Sequence, residues 1–146
     1  MPDSVAMLSL QDLVARFANS LDLKDWERLG QCLTATLHTD YSDLRGTPPE
    51  TVSRKEFVEL RQAALEELET HHLAGQSEID VTEPTANMTV SMVIYRRNST
   101  GKTLNTHCIY FFGAVKDQGT WQIASIRQKV LMSHGDADIH KGIVRP

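Results

Sequence analysis

At Thr70 the apolar pattern of this chain changes its period. Before that point hydrophobic residues recur at helical spacing, and after it they alternate position by position. A change from period 3.6 to period 2 predicts helices in the first half and strands in the second. Helices gathered at one end and hairpin-linked strands at the other argue α+β, not the alternating α/β plan.

Leu10, Leu13, Val14, Phe17 and Leu21 form the first stripe, with polar Gln11, Asp12, Arg16 and Asn19 around it. The spacing predicts an amphipathic helix over 9–21, capped by Ser9 with Asp12 in the capping-box place. A break at Asp22 leads into a short second helix presenting Trp26, Leu29 and Leu33. Asp22 either caps that helix or projects from the end of the first helix into a pocket, and spacing leaves both open. Residues 37–44 read as a short strand and a loop, with Leu37, Thr39 and Tyr41 on one face and His38, Asp40 and Ser42 on the other. Tyr41 is either a core tyrosine or the lining of a wet pocket, because a buried hydroxyl needs a partner. After a Gly/Pro-containing loop over 45–50, the capping box Ser53-Arg54-Lys55-Glu56 opens a third helix with the stripe Phe57, Leu60, Ala64, Leu65 and Leu68.

The strand that follows carries Thr70-His71-His72-Leu73-Ala74-Gly75. Without a bulge, His72 would share the face of Glu78 and Asp80, so Ala74-Gly75 is expected to interrupt the alternation. A long strand over 87–97 shows Met88, Val90, Met92 and Ile94 on one face, and two more strands follow over 103–115 and 120–132. On the first of these, Thr103, Asn105, His107, Ile109 and Phe111 share a face, read as a pocket mouth leading to an apolar floor. Residues 133–146 lack periodicity and are expected to form a tail or lid on a single domain whose core is 8–132. A bent sheet wrapped on helices leaves a conical cavity, the usual kind of place for a small ligand.

Composition excludes several classes. A chain of 146 residues fits one core, and a net charge of −4 with no Lys/Arg stripe gives nucleic acid no footprint. No apolar run approaches the roughly 18 residues of a membrane span, and the start, with Asp3 and no basic segment, does not read as a secretory signal. Cys32 and Cys108 sit in no ligand pattern. They read as buried free thiols, with a disulfide the alternative, in a cytoplasmic protein without a metal.

The blocks 21–29, Asp40-Tyr41-Ser42, Glu56-Phe57-Val58 and Thr70 to Gly75 closely resemble scytalone dehydratase. More broadly, they resemble the SnoaL-like proteins of the nuclear transport factor 2-like superfamily. The resemblance covers about 8–132. It implies an α+β cone, three N-terminal helices packed on a strongly curved, mixed but mainly antiparallel sheet, assembled as a dimer or trimer. It matches the family's aspartate to Asp22, its strand tyrosine to Tyr41 and its Thr-x-His histidine to His72, and its polar pair to Asn105 and His107. Two tyrosines share a water in that pattern; the one before the aspartate is Leu21 here, and the later-strand histidine is absent from the strand over 88–97.

A carboxylate bonded to an imidazole fixes its tautomer and is expected to raise its pKa. His72, so held by Asp22, would serve as base and then acid in removing a proton α to a carbonyl and expelling a β-hydroxyl. Tyr41 would polarise the carbonyl, and Asn105 or His107 would hold the departing hydroxyl or a ring substituent. The expected activity is a cofactor-independent dehydratase acting on a small hydrophobic or aromatic substrate, a hydroxylated cyclic or polyketide-like carbonyl compound. A cyclase or ketosteroid-type isomerase, or a non-catalytic small-molecule-binding module, are the alternatives. Tyr95, Tyr110 and Phe112 are candidates either for the contact between copies or for the core. His38, His71, His134 and His140 read as surface or structural.

Overall fold

The computed structural model describes residues 3–140. Helix α1 runs Ser4–Leu23, longer than the sequence pattern suggests, because Asp3 caps it by accepting from the Val5 and Ala6 amides at 3.0 and 3.2 Å. Ala6 extends the buried stripe of Leu10, Leu13, Val14, Phe17 and Leu21 by one turn. Lys24 stops the helix in the left-handed region, with φ 55°, and its amide closes on the Leu21 carbonyl. Helix α2, Trp26–Gln31, is capped by Asp25, whose carboxylate accepts from the Arg28 amide at 3.1 Å. Asp22 is therefore not its cap.

Strand β1 (Leu33–Asp40) leads to a short helix α3 (Ser42–Arg45) inside what the sequence presents as loop, then to β2 (Glu50–Ser53) and α4 (Arg54–Leu65). Ser53 caps α4 as expected, accepting from the Glu56 amide at 3.1 Å. Its stripe differs from the expected one: Leu60 is 45% exposed and Arg61 is buried in its stead. Strands β3 (Glu69–Thr82), β4 (Thr85–Arg97), β5 (Thr103–Asp117) and β6 (Thr120–Gly135) follow as successive hairpins. The sheet order is β2-β1-β6-β5-β4-β3, antiparallel throughout except for the β1–β6 pair. This is the mixed, mainly antiparallel curved sheet that the pattern implies.

The alternation of β4 and β5 is consistent along their length. Even-numbered residues from Ala86 to Arg96 and from Leu104 to Ala114 are buried against the helices, and odd-numbered ones face outward. Phe17 stands at the middle of this core, edge-on to Tyr110 and Phe112 at 6.4 and 5.3 Å between centroids. Such a ring contributes about 1.5–3 kcal/mol by leaving water. Tyr110 and Phe112 are thus core residues and not a contact surface, whereas Tyr95 is exposed.

In β3 the pairing partners run Ala74 to Met92 and then Ser77 to Val90, so one residue is extra. This is the bulge expected at Ala74-Gly75. It turns His72 and Ala74 inward on even numbers and Ser77, Ile79 and Val81 inward on odd ones. A Cβ at Gly75 would stand 3.2 Å from the Ser91 carbonyl oxygen, which is why the backbones approach so closely here.

At the end of β6, Gly135 adopts φ 113° and the Asp136 amide donates to the Thr103 carbonyl at 2.8 Å. The chain folds back through a 3-10 turn, Ala137–Ile139, onto β5, and buries His140. The rest of the expected tail or lid, 141–146, lies outside the described residues. Cys32 and Cys108 are buried free thiols. No helix among the described residues is long and apolar enough to cross a membrane.

Candidate active site

Asp22 occupies the last turn of α1, where the helix dipole disfavours a carboxylate by about 0.3–1 kcal/mol. Three donors outweigh this. Its Oδ1 accepts from the Thr70 hydroxyl at 2.9 Å and lies 2.6 Å from His72 Nδ1, and its Oδ2 accepts from the His72 amide at 2.7 Å. α1 packs directly on β3, so a remote helix and the pre-bulge half of a strand meet through this carboxylate. The sequence expectation that Asp22 and His72 pair is the geometry found. With Nδ1–H donating to Asp22, the lone pair of His72 rests on Nε2, and the ring lines the interior cavity.

Burial would raise the Asp22 pKa, but the His72 ring, its amide and the Thr70 hydroxyl hold the carboxyl below its ordinary value. For His72 the balance is the reverse of the expectation. Burial lowers its pKa more than Asp22 raises it, and the positive charge of Arg96 adds to the lowering. The correction has a chemical meaning: at neutral pH the ring is a neutral base with an empty Nε2.

The cavity beside it lies between α1, α3, α4 and the concave face of the sheet. Apolar Leu21, Leu44, Leu65 and Ile94 wall it, and Tyr41, Tyr110, Arg61, Arg96, His72 and His140 give it polar groups. As it stands it holds about 20 Å³, room for about one water. Tyr41 and Tyr110 meet edge to face at 6.4 Å. Burial pushes the Tyr41 phenol up to about 12 and raises Tyr110 well above its usual value, so both remain hydroxyl donors. Tyr110 supplies a second tyrosine from β5, although the position before Asp22 is Leu21.

Three arginines surround this space. The Arg45 guanidinium lies over the Tyr41 ring at 4.2 Å, and Arg61 lies over the same ring at 5.4 Å and over Phe57 at 5.6 Å. Such stacking is worth about 0.5–2 kcal/mol. Arg96, 3% exposed, donates from Nη1 to the buried Thr106 hydroxyl at 2.8 Å, and burial pushes its pKa down to about 10. His140 closes the cavity, and burial together with Arg96 and Arg45 pushes it down to about 3. Of the two readings, surface or structural, the surface one is excluded, and the ring lies in the cavity wall.

Asn105 and His107 are not part of this constellation. Pairing runs from His72 to Ile94 to Thr106, so the residues on the His72 face of β5 are Leu104, Thr106, Cys108 and Tyr110. Asn105 and His107 are half-buried on the opposite face, and Asn105 lines a shallow outer hollow with Tyr95 and Thr103. A much roomier hollow, about 590 Å³, is also on that outer face, between His38, Asp40, Phe111 and Arg127. It contains no buried acid–base pair, and its size does not make it the reaction chamber. The residues that sequence reasoning passed over carried a signal. Arg96 continues the Met88–Ile94 alternation by one step, and Arg61 falls one helical turn after Phe57. Among the described residues no group of three or more His, Cys, Asp or Glu side chains is placed to hold a metal ion.

Residues 4–127 match the SnoaL-like domain family. The chain is 32% identical over 75 residues to the scytalone dehydratase-like protein claB of Passalora fulva, a match spanning 49% of this chain and 46% of that protein, under half the relative's length. It is 26% identical over 152 aligned positions to the scytalone dehydratase-like protein AacuK of Aspergillus aculeatus, covering 90% of this chain and 82% of the relative. The crystal structure of Kfla4162 from Kribbella flavida superposes with a TM-score of 0.87 at 19% identity, over 94% of this chain and 98% of that one. The fold is thus shared with that structure: a curved, mainly antiparallel sheet packed on N-terminal helices.

Proposed function

The chain belongs to the SnoaL-like domain family, and from that premise we propose that it is a small-molecule-processing enzyme, a cofactor-independent hydro-lyase acting on a hydroxylated cyclic or polyketide-like carbonyl compound. The observation that carries the proposal is the 2.6 Å contact between the buried His72 Nδ1 and Asp22 Oδ1 at the edge of the interior cavity. Scytalone dehydratase-like names among the relatives support the same reaction class.

His72 Nε2 takes the proton α to the substrate carbonyl, and the C–H electron pair becomes the enolate. Asp22 compensates the imidazolium that forms. Tyr41, kept protonated by burial, donates to the carbonyl oxygen as negative charge gathers there, with Tyr110 beside it. The enolate then collapses and expels the β-hydroxyl. The proton held on Nε2 passes to that hydroxyl, water leaves, and the neutral base returns. One histidine on one face makes this a syn elimination. A ring-sized substrate is larger than the void, so the side chains that line it rearrange when it binds.

The test is incubation with hydroxylated cyclic ketones in heavy water, followed by mass spectrometry. Loss of one water supports the dehydratase. Deuterium uptake at the α-carbon without that loss points to an isomerase or cyclase. Turnover that survives in both His72→Gln and Asp22→Asn overturns the relay. We further propose a homo-oligomer, supported by the exposed apolar Tyr95, Leu131 and Met132 and checked by light scattering of the purified chain, and a cytoplasmic location, supported by the two buried free thiols.

A further inference from the structure

The interior cavity carries more positive charge than its own residues balance. Arg61 and Arg96 are over nine-tenths buried, and Arg45 flanks them through the Tyr41 ring. Among the described residues no carboxylate lies within ion-pair distance of any of the three, and the Nε of each, with Nη2 of Arg45, is buried without an acceptor. Among the described residues the acid nearest the cavity, Asp22, is committed to Thr70 and His72. Glu50 acts on Arg45 only at long range. Tyr41 and Tyr110 are protonated phenols, and His72 and His140 are held toward their neutral forms. Buried guanidinium groups left in this state are costly, and an anion that reaches them repays the desolvation already incurred.

We propose that the substrate of this cavity carries a carboxylate, seated on the Arg61 and Arg96 guanidinium groups with Arg45 behind them, and that the ring bearing it packs on the apolar walls. The planar fork of arginine matches a carboxylate in two parallel hydrogen bonds, which fixes orientation as well as charge. Anchored there, the rest of the ring is held against His72. The inference rests on the cavity being the reaction chamber of the proposed enzyme, and it concerns binding rather than turnover.

The experiment is calorimetric titration of the full chain with acid–amide pairs at matched ionic strength: acetate and acetamide, benzoate and benzamide, cyclohexanecarboxylate and its amide, with inorganic phosphate alongside. The expected result is that a ring acid binds about 10- to 100-fold more tightly than its amide, the size of a charge-assisted hydrogen-bond pair. The preference is lost in Arg61→Met and Arg96→Met. It persists in part in Arg61→Lys, which keeps the charge without the fork, and in full in His72→Gln, where turnover is lost. Ligand-free Arg61→Met is expected to melt within a few degrees of the wild type, because the loss of its stacking on Tyr41 and Phe57 is offset by the removal of a buried charge that no described carboxylate compensates. The proposal is overturned if every amide binds as well as its acid, if phosphate outcompetes every carboxylate, or if the preference survives both methionine variants. It is also overturned if ligand-free Arg61→Met melts well below the wild type, which would make the arginine a structural strut. If the carboxylate preference holds while turnover survives in His72→Gln, the relay falls and the binding inference stands.

Discussion

Asp22→Asn is nearly isosteric, yet the geometry gives it no good way to sit. The carboxylate takes the His72 amide on Oδ2 and the His72 ring with the Thr70 hydroxyl on Oδ1. An amide has one acceptor and one donor in those places. If its oxygen faces the ring, its NH2 meets the backbone N–H, which cannot change. The stable arrangement keeps the oxygen on the backbone amide and turns the NH2 toward Nδ1. The ring then accepts at Nδ1 and carries its proton on Nε2, so the base that faces the cavity is gone. Replacing the three charge-assisted bonds with neutral ones costs about 1 kcal/mol each, and relief of the helix-dipole repulsion returns about 0.3–1 kcal/mol, so stability is expected to fall by about 2 kcal/mol, a Tm lower by about 4–8 °C. Turnover is expected to fall about 10³- to 10⁴-fold, the scale seen when a carboxylate that orients a catalytic histidine is made an amide. Long-range proton–nitrogen correlation spectra of labelled imidazoles read the tautomer directly, without a substrate. If His72 keeps its proton on Nδ1 in the variant, or if turnover stays within a few-fold, the orientation argument is refuted.

Tyr41→Phe is expected to lower turnover about 10²-fold while changing Tm little, because the ring keeps its arginine stacking; differential scanning calorimetry beside the kinetic assay checks both. Asn105→Ala and His107→Ala, on the outer face, are expected to leave turnover within a factor of about three in the same assay, since neither touches the cavity wall. Acid is expected to destabilise the fold through two histidines. Both folded values lie below the unfolded 6.5, with His140 at about 3, so the unfolded chain binds protons first. Their contribution is whole above about pH 6.5 and is lost as pH falls toward the folded values, at up to about 1.4 kcal/mol per pH unit for His140. Urea midpoints measured from pH 8 to 4 are expected to fall below 6.5, less steeply in His140→Leu. Gly135→Ala places a Cβ 2.2 Å from the Thr103 carbonyl oxygen at φ 113° and is expected to cost at least about 2 kcal/mol, read from denaturant unfolding.

Much of the fold was legible because it depended on local periodicity. The change of period at Thr70, the Ser53 cap and the hairpin succession each need only neighbouring residues. Asp22 and His72 were legible through their resemblance to a family motif, and the bulge that aims His72 through the glycine at its centre. β5 was misread because both of its faces are part apolar: Leu104, Cys108 and Tyr110 on one, Ile109 and Phe111 on the other. Period 2 identifies such a strand but not which side meets the helices. Arg61 and Arg96 were passed over because charged residues in an apolar stripe are ordinarily counted as interruptions, whereas here they are buried members of it. The direction of the His72 pKa depended on burial and on Arg96, neither of which adjacency in sequence reveals.

The extra residue in β3 gives the strand two parities. Its front half turns the imidazole inward and its rear half Ile79 and Val81, so the two walls are set by separate alternations. Substitutions at Ile79 and Val81 reshape the far wall of the sheet without calling on the parity that turns His72 toward Asp22.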